Sequence, residues 1–185
     1  MKKVERPNLP NSLTIFRIAA LPFCAYALFK NGGNDENWRI IAFTLFFIVG
    51  LSDILDGKIA RDRNQITEFG KFLDPVADKV MIGAAMISLS ILGRMPLWIT
   101  IVILGREVGI TLLRLAIIRR GVIAANKGGK IKATFQNFGV GFYVLPLPAS
   151  LFWFRDGFMA VAIVLTIVTG AYYVKSAFGR PSGHK

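Results

Sequence analysis

Two strongly apolar segments are joined by SDILDGKIARDRNQITEFGKFLDPVADK, residues 52–79. This stretch carries Asp53, Asp56, Asp74 and Asp78 at the ends of the apolar segments that flank it. An ionised side chain deep in a membrane helix costs about 2.5–3.5 kcal/mol on insertion scales, and clustered carboxylates also repel each other. Such a cluster persists only where positive charge compensates it, which makes these aspartates candidates for a functional site.

The composition of the chain indicates an integral membrane protein. Of its 185 residues, 54% are hydrophobic and only 18% are charged, which is too apolar for a soluble domain of this length. A span needs about 20 mostly apolar residues. Six segments qualify, near residues 12–29, 39–60, 72–93, 96–118, 133–154 and 157–178. Because lipid cannot satisfy open backbone groups, we expect six transmembrane helices and an all-α fold.

Short polar or glycine-rich stretches separate the predicted spans. Asn31–Asn37 forms a polar turn, and Gly93–Pro96 forms a tight link. Gly121 and Gly128–Gly129 are expected to break the chain after the fourth helix, and Arg155–Gly157 to separate the last two. The sequence shows no repeat and no second domain, so we expect one membrane domain over residues 1–185. In it, 1–11 is a cytoplasmic segment and 179–185 a disordered tail.

Lysine and arginine are unevenly distributed among the predicted loops. They concentrate in the N-terminal tail, near 61–71, near 119–132 and at the C-terminal end. The positive-inside rule then places both termini and the aspartate-rich stretch in the cytoplasm, at the surface of the plasma membrane. The net charge of +12 suggests contact with anionic membrane phospholipid and anionic substrates rather than with nucleic acid.

The spacing of the aspartates favours a site for divalent metal ions. Asp53 and Asp56 are three residues apart and Asp74 and Asp78 are four apart, so each pair shares a helical face. With no His or Cys nearby, the ligands are all oxygens, which favours Mg²⁺ or Mn²⁺ over Zn²⁺. Four carboxylates suit two ions, the arrangement that clamps a phosphate between attacking and leaving oxygens.

Two glycines and an arginine accompany the aspartates. Gly57 and Gly70 would let a phosphate or nucleotide approach the backbone closely. Arg61 lies four residues after Gly57, on the same face, and is suited to hold a pyrophosphate oxygen.

The complete pattern is Asp53-x2-Asp56-Gly57-x2-Ala60-Arg61-x8-Gly70-x3-Asp74-x3-Asp78, and it resembles without a gap the signature of the CDP-alcohol phosphotransferases. The resemblance implies two metal ions held by the four aspartates, with Asp78 also the base that deprotonates the attacking alcohol. It also implies contacts to a CDP-linked lipid, at Gly57, Ala60, Arg61, Thr67 and Gly70.

The N-terminal residues extend the resemblance. PNSLTIFR, residues 10–17, is similar to the PNxLTxxR start of the family, which implies that Asn11 and Thr14 help to hold the nucleotide. On physical grounds alone, Asn11 and Thr14 are equally well explained as a helix N-terminal cap region.

Basic residues in the second half of the chain point to the acceptor. Arg106, Arg114, Lys130 and Lys132 are predicted to form a pocket for an acceptor that bears its own phosphate. Two alternatives remain open, that either arginine pairs with Glu107 inside the bundle and that the lysines only mark the cytoplasmic side.

The segments REVGITLLR and GGKIKATFQ resemble the bacterial phosphatidylglycerophosphate synthase branch of the family, although Ala133 stands where a threonine is usual. This resemblance implies transfer of a phosphatidyl group from CDP-diacylglycerol to glycerol 3-phosphate, with release of CMP, in a bacterial membrane. The family resemblance also suggests a homodimer.

Other functions fit parts of the pattern. A sister enzyme would use inositol phosphate, or phosphatidylglycerol to make cardiolipin. An intramembrane prenyltransferase also uses aspartates and Mg²⁺, but this chain is short for that bundle. A small cation transporter would spread its carboxylates across the membrane depth, whereas here they gather at one side.

Overall fold

The computed structural model describes the backbone of residues 9–62, 68–117 and 127–178 and, within them, the side chains of 16–50, 76–113, 115–116, 128–129 and 131–177. Over these ranges the chain forms helices and no strand, which confirms the all-α prediction there. The α-helices are α1 Leu9–Phe29, α2 Glu36–Asp62, α3 Glu68–Ile91, α4 Leu97–Ile117, α5 Lys127–Val144 and α6 Phe152–Phe178. The expected disordered tail, 179–185, lies outside the described residues.

The turn between α1 and α2 forms where the polar stretch predicts it. Lys30–Gly33 is a 3₁₀ turn in which Asn31 takes a φ of 54°, a left-handed conformation that asparagine tolerates. Asp35 then caps α2, because its Oδ1 accepts hydrogen bonds from the N–H groups of Asn37 and Trp38 at 3.0 and 3.2 Å. The predicted link at Gly93–Pro96 is also confirmed, with Gly93 at a φ of 67° between α3 and α4.

The predicted break at Arg155–Gly157 is wrong. These residues lie in the first turns of α6, and α5 ends at Val144 instead of near 154. The chain leaves the helix here because Pro146 and Pro148 lack an N–H donor and disfavour helical backbone in the residues before them.

The predicted break at Gly128–Gly129 is wrong as well. Both glycines lie in the first turn of α5, which begins at Lys127 rather than near 133. Glycine lowers helix stability least at a helix end, where the first N–H groups have no intrahelical partner in any case. Gly121, the other expected breaker, is outside the part of the chain that the structure describes.

The chain divides into two compact units. Unit 1 comprises Met1–Arg94 and Gly141–Pro146. Within it α1 packs against both α2 and α3, and small buried residues allow the close approach of helices, with Ala27 and Ala42 each only 2% exposed. The last carbonyls of the α5 segment are capped by Arg39, whose guanidinium donates hydrogen bonds to the carbonyls of Tyr143, Val144 and Leu145.

Unit 2 comprises Met95–Val140 and Leu147–Lys185, and in it α4 packs against α6. Its core contains Ile103, Val140 and Met159, all buried. Gly139 lies beside Met159, and a Cβ at position 139 would stand 3.2 Å from the Met159 Cε. The close approach of α5 and α6 at this point therefore depends on having glycine, which lacks a side chain, at position 139.

Large apolar side chains cover much of the described exterior. Ile91, Leu115 and Trp153 are each more than 60% exposed, as is usual for a surface that meets lipid rather than water. In the described chain, one helical segment is both long and apolar enough to cross a membrane by composition, Ala149–Ala177.

Candidate active site

The four aspartates lie on consecutive helices of unit 1. Asp53 and Asp56 fall in the second half of α2, and Asp74 and Asp78 fall in the first half of α3. Helical backbone at all four positions gives each pair a shared face, which is what the proposed metal chemistry requires. Of the four side chains, the structure describes that of Asp78, which is partly buried.

The residues expected to bind the CDP-lipid lie on the same elements. Asn11 and Thr14 are three residues apart in the first turns of α1, whereas Gly57, Ala60 and Arg61 lie in α2 and Gly70 in α3. Thr67 lies outside the described residues. The helical backbone puts Gly57 and Arg61 on one face of α2, as their spacing of four predicts.

Arg17 is a buried cation that our sequence analysis did not assign to the site. It lies in α1 and is only 1% exposed. Gly33 follows the end of α1, and Leu92 follows the end of α3. A Cβ at Gly33 would stand about 3 Å from the Leu92 side chain, so these two helices end side by side. Arg17 lies 12 residues before the end of α1 and Asp78 lies 13 before the end of α3. At a rise of about 1.5 Å per residue, the two positions are at nearly the same level.

A cluster of charges joins α4 and α5 in unit 2. Glu107 on α4 accepts a hydrogen bond from Arg106 Nη1 at 3.2 Å, and the ammonium of Lys132 on α5 lies against the same carboxylate oxygen. Lys132 is 5% exposed. The predicted pairing of Arg106 with Glu107 is therefore present, and the same contacts bring Arg106 and Lys132 together, leaving two cations around one carboxylate.

Arg114 and Lys130 complete the set of predicted acceptor residues. Arg114 lies in α4, seven residues after Glu107, and Lys130 lies in the first turn of α5. Positions 130 and 132 are two apart on one helix, so they belong to different faces of α5. Arg114 and Lys130 remain predicted acceptor residues.

Thr169 and Gly170 were missed by the sequence analysis. The Thr169 hydroxyl accepts a hydrogen bond from Arg106 Nη2 at 2.9 Å. A Cβ at Gly170 would stand 3.3 Å from Arg106 Nε. The sequence signal for Thr169 is that it is a polar residue within the long apolar helix α6.

Comparison with known proteins identifies the family. Residues 7–168 match the family model described as CDP-alcohol phosphatidyltransferase, a match that takes in all four aspartates and the cluster around Glu107. The chain belongs to the CDP-alcohol phosphatidyltransferase family. As a member of this family it is a transferase of phospholipid biosynthesis, and the resemblance seen in the aspartate signature is confirmed.

Among curated relatives of this phosphatidyltransferase, a probable phosphatidylglycerophosphate synthase of Mycobacterium tuberculosis is 47% identical over 170 residues, covering 92% of this chain and 81% of the relative. A CDP-diacylglycerol–glycerol-3-phosphate 3-phosphatidyltransferase of Bacillus subtilis is 40% identical over 179 residues, covering 90% and 93%. A CMP-forming cardiolipin synthase of Streptomyces coelicolor is 36% identical over 116 residues, covering 61% and 52%.

A solved structure shares the fold of this family member. The phosphatidylinositol phosphate synthase of Mycobacterium tuberculosis, determined with CDP-DAG bound, aligns with a TM-score of 0.66 and covers 94% of this chain and 88% of its own. The two sequences are 20% identical, so the likeness concerns the arrangement of helices.

Proposed function

We propose that this phosphatidyltransferase transfers the phosphatidyl group of CDP-diacylglycerol to glycerol 3-phosphate, releasing CMP and forming phosphatidylglycerophosphate. The observation that carries the proposal is the 47% and 40% identity, over nine-tenths of the chain, to proteins named for that reaction. The family membership favours this transferase over the prenyltransferase and the cation transporter.

The aspartates have the chemistry expected of a site for two Mg²⁺ or Mn²⁺ ions. Asp53, Asp56, Asp74 and Asp78 offer only carboxylate oxygens, the donors that these hard cations prefer. When bound, the ions would supply positive charge that neutralises the pyrophosphate and stabilises the leaving CMP.

The remaining steps belong to the side chains of the chain itself. Asp78 takes the proton from the acceptor hydroxyl, whose oxygen forms a new bond to the phosphorus of the phosphatidyl group as the bond to CMP breaks. Gly57, Ala60 and Gly70 leave room for the CDP-lipid, and Arg61 pairs with its pyrophosphate. Asn11 and Thr14 hold the nucleotide, and Thr67 contacts the CDP-lipid.

The acceptor phosphate is proposed to bind the cations of unit 2. Arg106 and Lys132 meet at one carboxylate, so their combined charge exceeds what Glu107 neutralises. A dianionic phosphate is the ligand that such an excess of positive charge attracts, and the planar guanidinium of Arg106 suits it geometrically. Arg114 and Lys130 would add charge to this pocket.

The enzyme is proposed to be a multi-pass protein of a bacterial plasma membrane. Its exposed apolar side chains and the uneven distribution of lysine and arginine support six spans with both termini, and the active site, on the cytoplasmic side. A site at that surface is open to a lipid substrate and to a water-soluble one. The family resemblance suggests a homodimer.

Two other acceptors are alternatives on specific observations. Inositol phosphate is suggested by the fold neighbour named phosphatidylinositol phosphate synthase. Phosphatidylglycerol is suggested by the relative named cardiolipin synthase, which matches 61% of the chain. Both would keep the aspartate chemistry and change the occupant of the acceptor pocket.

The experiment is release of CMP from CDP-diacylglycerol by the purified full chain, with one acceptor at a time. We expect release with glycerol 3-phosphate, its loss on chelation, and its return with Mg²⁺ or Mn²⁺. Asp78→Asn should abolish release, whereas Asp156→Asn, which alters an exposed aspartate paired with Arg155, should not. Release with a different alcohol alone would overturn the proposed acceptor, and activity that survives chelation would overturn the metals.

A further inference from the structure

The Thr169 hydroxyl is held in one orientation. It donates to the Leu165 carbonyl at 2.6 Å, one turn earlier on α6, so its proton is directed at the backbone. Its lone pairs then face Arg106, whose Nη2 donates to it at 2.9 Å. A hydroxyl fixed in this way is a dedicated acceptor for the guanidinium.

Two glycines make the space for this contact. At Gly170, beside Thr169 on α6, a Cβ would stand 3.3 Å from Arg106 Nε and 3.4 Å from Cγ. At Gly128, on α5, a Cβ would stand 3.2 Å from the Thr169 methyl. The distances of 3.3 Å to Arg106 Nε and 3.2 Å to the Thr169 methyl are shorter than ordinary van der Waals contact, so the arginine and the threonine occupy room that larger residues would take.

Arg106 keeps donors for a ligand. A guanidinium has five N–H donors, and the contacts among described residues engage Nη1 with Glu107 and Nη2 with Thr169. Arg106 Nε is buried and has no hydrogen-bond acceptor among those residues. The side chain is 20% exposed, so it is accessible from outside while its orientation is set from two sides.

We infer that Thr169 is a positioning residue, which holds the Arg106 guanidinium in the orientation that receives the acceptor phosphate. This inference rests on the proposed function. An arginine held by two acceptors loses less side-chain entropy when phosphate binds, so the contact with Thr169 should appear as affinity for the phosphate-bearing substrate.

The test is the kinetics of CMP release by full-length variants, with glycerol 3-phosphate and CDP-diacylglycerol varied separately. Thr169→Val preserves the shape and removes the acceptor, so it should raise the apparent KM for glycerol 3-phosphate about tenfold. The KM for CDP-diacylglycerol and kcat should change less than about twofold. Thr169→Ser should restore the wild-type KM.

Thr166→Val is the matched control. Thr166 is fully buried one turn earlier on α6, and its hydroxyl has no hydrogen-bond partner in the described part of the chain. Its replacement should leave both KM values unchanged. Gly170→Ala approaches the same arginine without touching the hydroxyl, and it should raise the KM for glycerol 3-phosphate in the same direction.

The outcomes separate the two proposals. A wild-type enzyme that releases no CMP with glycerol 3-phosphate would overturn the proposed function and the inference with it. An active wild type whose KM for glycerol 3-phosphate is unchanged in Thr169→Val, or an equal loss toward both substrates, would overturn the inference alone. If Thr169→Val does not fold, an unchanged KM in Gly170→Ala would overturn it.

Discussion

The ammonium group of Lys132 on α5 lies against the carboxylate of Glu107 on α4, with the lysine only 5% exposed. A charge removed from water to this degree needs a partner, because the cost of desolvation is several kcal/mol per ion. Glu107 also accepts from Arg106. One carboxylate therefore holds two cations of the proposed acceptor pocket in place.

Replacement of Glu107 should destabilise unit 2. Glu107→Gln leaves the buried Lys132 without its counter-charge, and we expect a loss of about 3 kcal/mol in the free energy of unfolding. Thermal unfolding in detergent measures it. Asp156→Asn removes an exposed ion pair and should cost less than about 1 kcal/mol. Equal losses of unfolding free energy in the two variants would show that the buried Lys132–Glu107 pair stabilises the protein no more than an exposed ion pair does.

Arg39 should stabilise unit 1 through the end of α5. Its guanidinium donates to three carbonyls, at 2.8 Å to Leu145, 3.2 Å to Val144 and 3.3 Å to Tyr143. Arg39→Met leaves these groups without the donor, and we expect a loss of about 2 kcal/mol in unfolding free energy. Arg39→Lys, which keeps the charge but cannot span three acceptors, should recover only part of it. Full recovery with lysine would mean that charge alone matters.

Arg17 should support activity, since it is buried at the level of Asp78. A cation at this level reduces the repulsion among the aspartates. We expect Arg17→Met to lower kcat on the order of tenfold, which corresponds to about 1.4 kcal/mol of barrier, and Arg17→Lys to recover part of the rate.

Arg94 provides the comparison for Arg17, since it lies in the link between α3 and α4 and donates to the Gly33 carbonyl. Arg94→Met removes an arginine from unit 1 but not from the level of Asp78, and its kcat should stay near that of the wild type. A loss as large as that of Arg17→Met would refute a specific role for Arg17.

The Asp35 cap should make stability depend on pH. The pKa of this carboxyl lies below its ordinary value, chiefly because the Asn31 side chain donates to it, with the N–H of Trp38 also contributing. A lowered pKa gives a stabilising contribution that is complete above the ordinary aspartate pKa and is lost as pH falls through the lowered one.

We therefore expect Asp35→Ala to lower Tm by about 2–4 °C at neutral pH. That difference should shrink in strongly acidic solution, where the wild-type carboxyl is protonated too. Asp35→Asn keeps an acceptor for the cap and cannot titrate, so its Tm should change less with pH. A wild-type to alanine difference that is constant with pH would exclude the titrating cap.

Local signals in the sequence predicted the elements that carry the aspartates. The turn before α2 and the link after α3 contain residues that tolerate left-handed backbone, Asn31 and Gly93. Both connections lie where the sequence predicts them. Arg155–Gly157 predicts the boundary between α5 and α6 wrongly, because Pro146 and Pro148 follow the actual end of α5 at Val144. A charged pair at the start of a helix is compatible with helical backbone, whereas proline removes a donor wherever it stands.

The unit 2 cluster was predicted in its members but not in its geometry. The sequence left open that either Arg106 or Arg114 pairs with Glu107, and the structure shows the pair with Arg106. The contact between Arg106 and Thr169 joins residues 63 positions apart on different helices. Only the packing of α4 against α6 determines such a pair, and helical periodicity carries no information on it.

Arg39 and its acceptors are synthesised far apart in time. Val144 and Leu145 follow it by 105 and 106 residues, and most of α4 and α5 leaves the ribosome before them. Unit 1, which contains the first three helices, therefore lacks its last segment, residues 141–146, until that segment is synthesised. The unit that carries the aspartates is synthesised first, and it is completed only by residues 141–146.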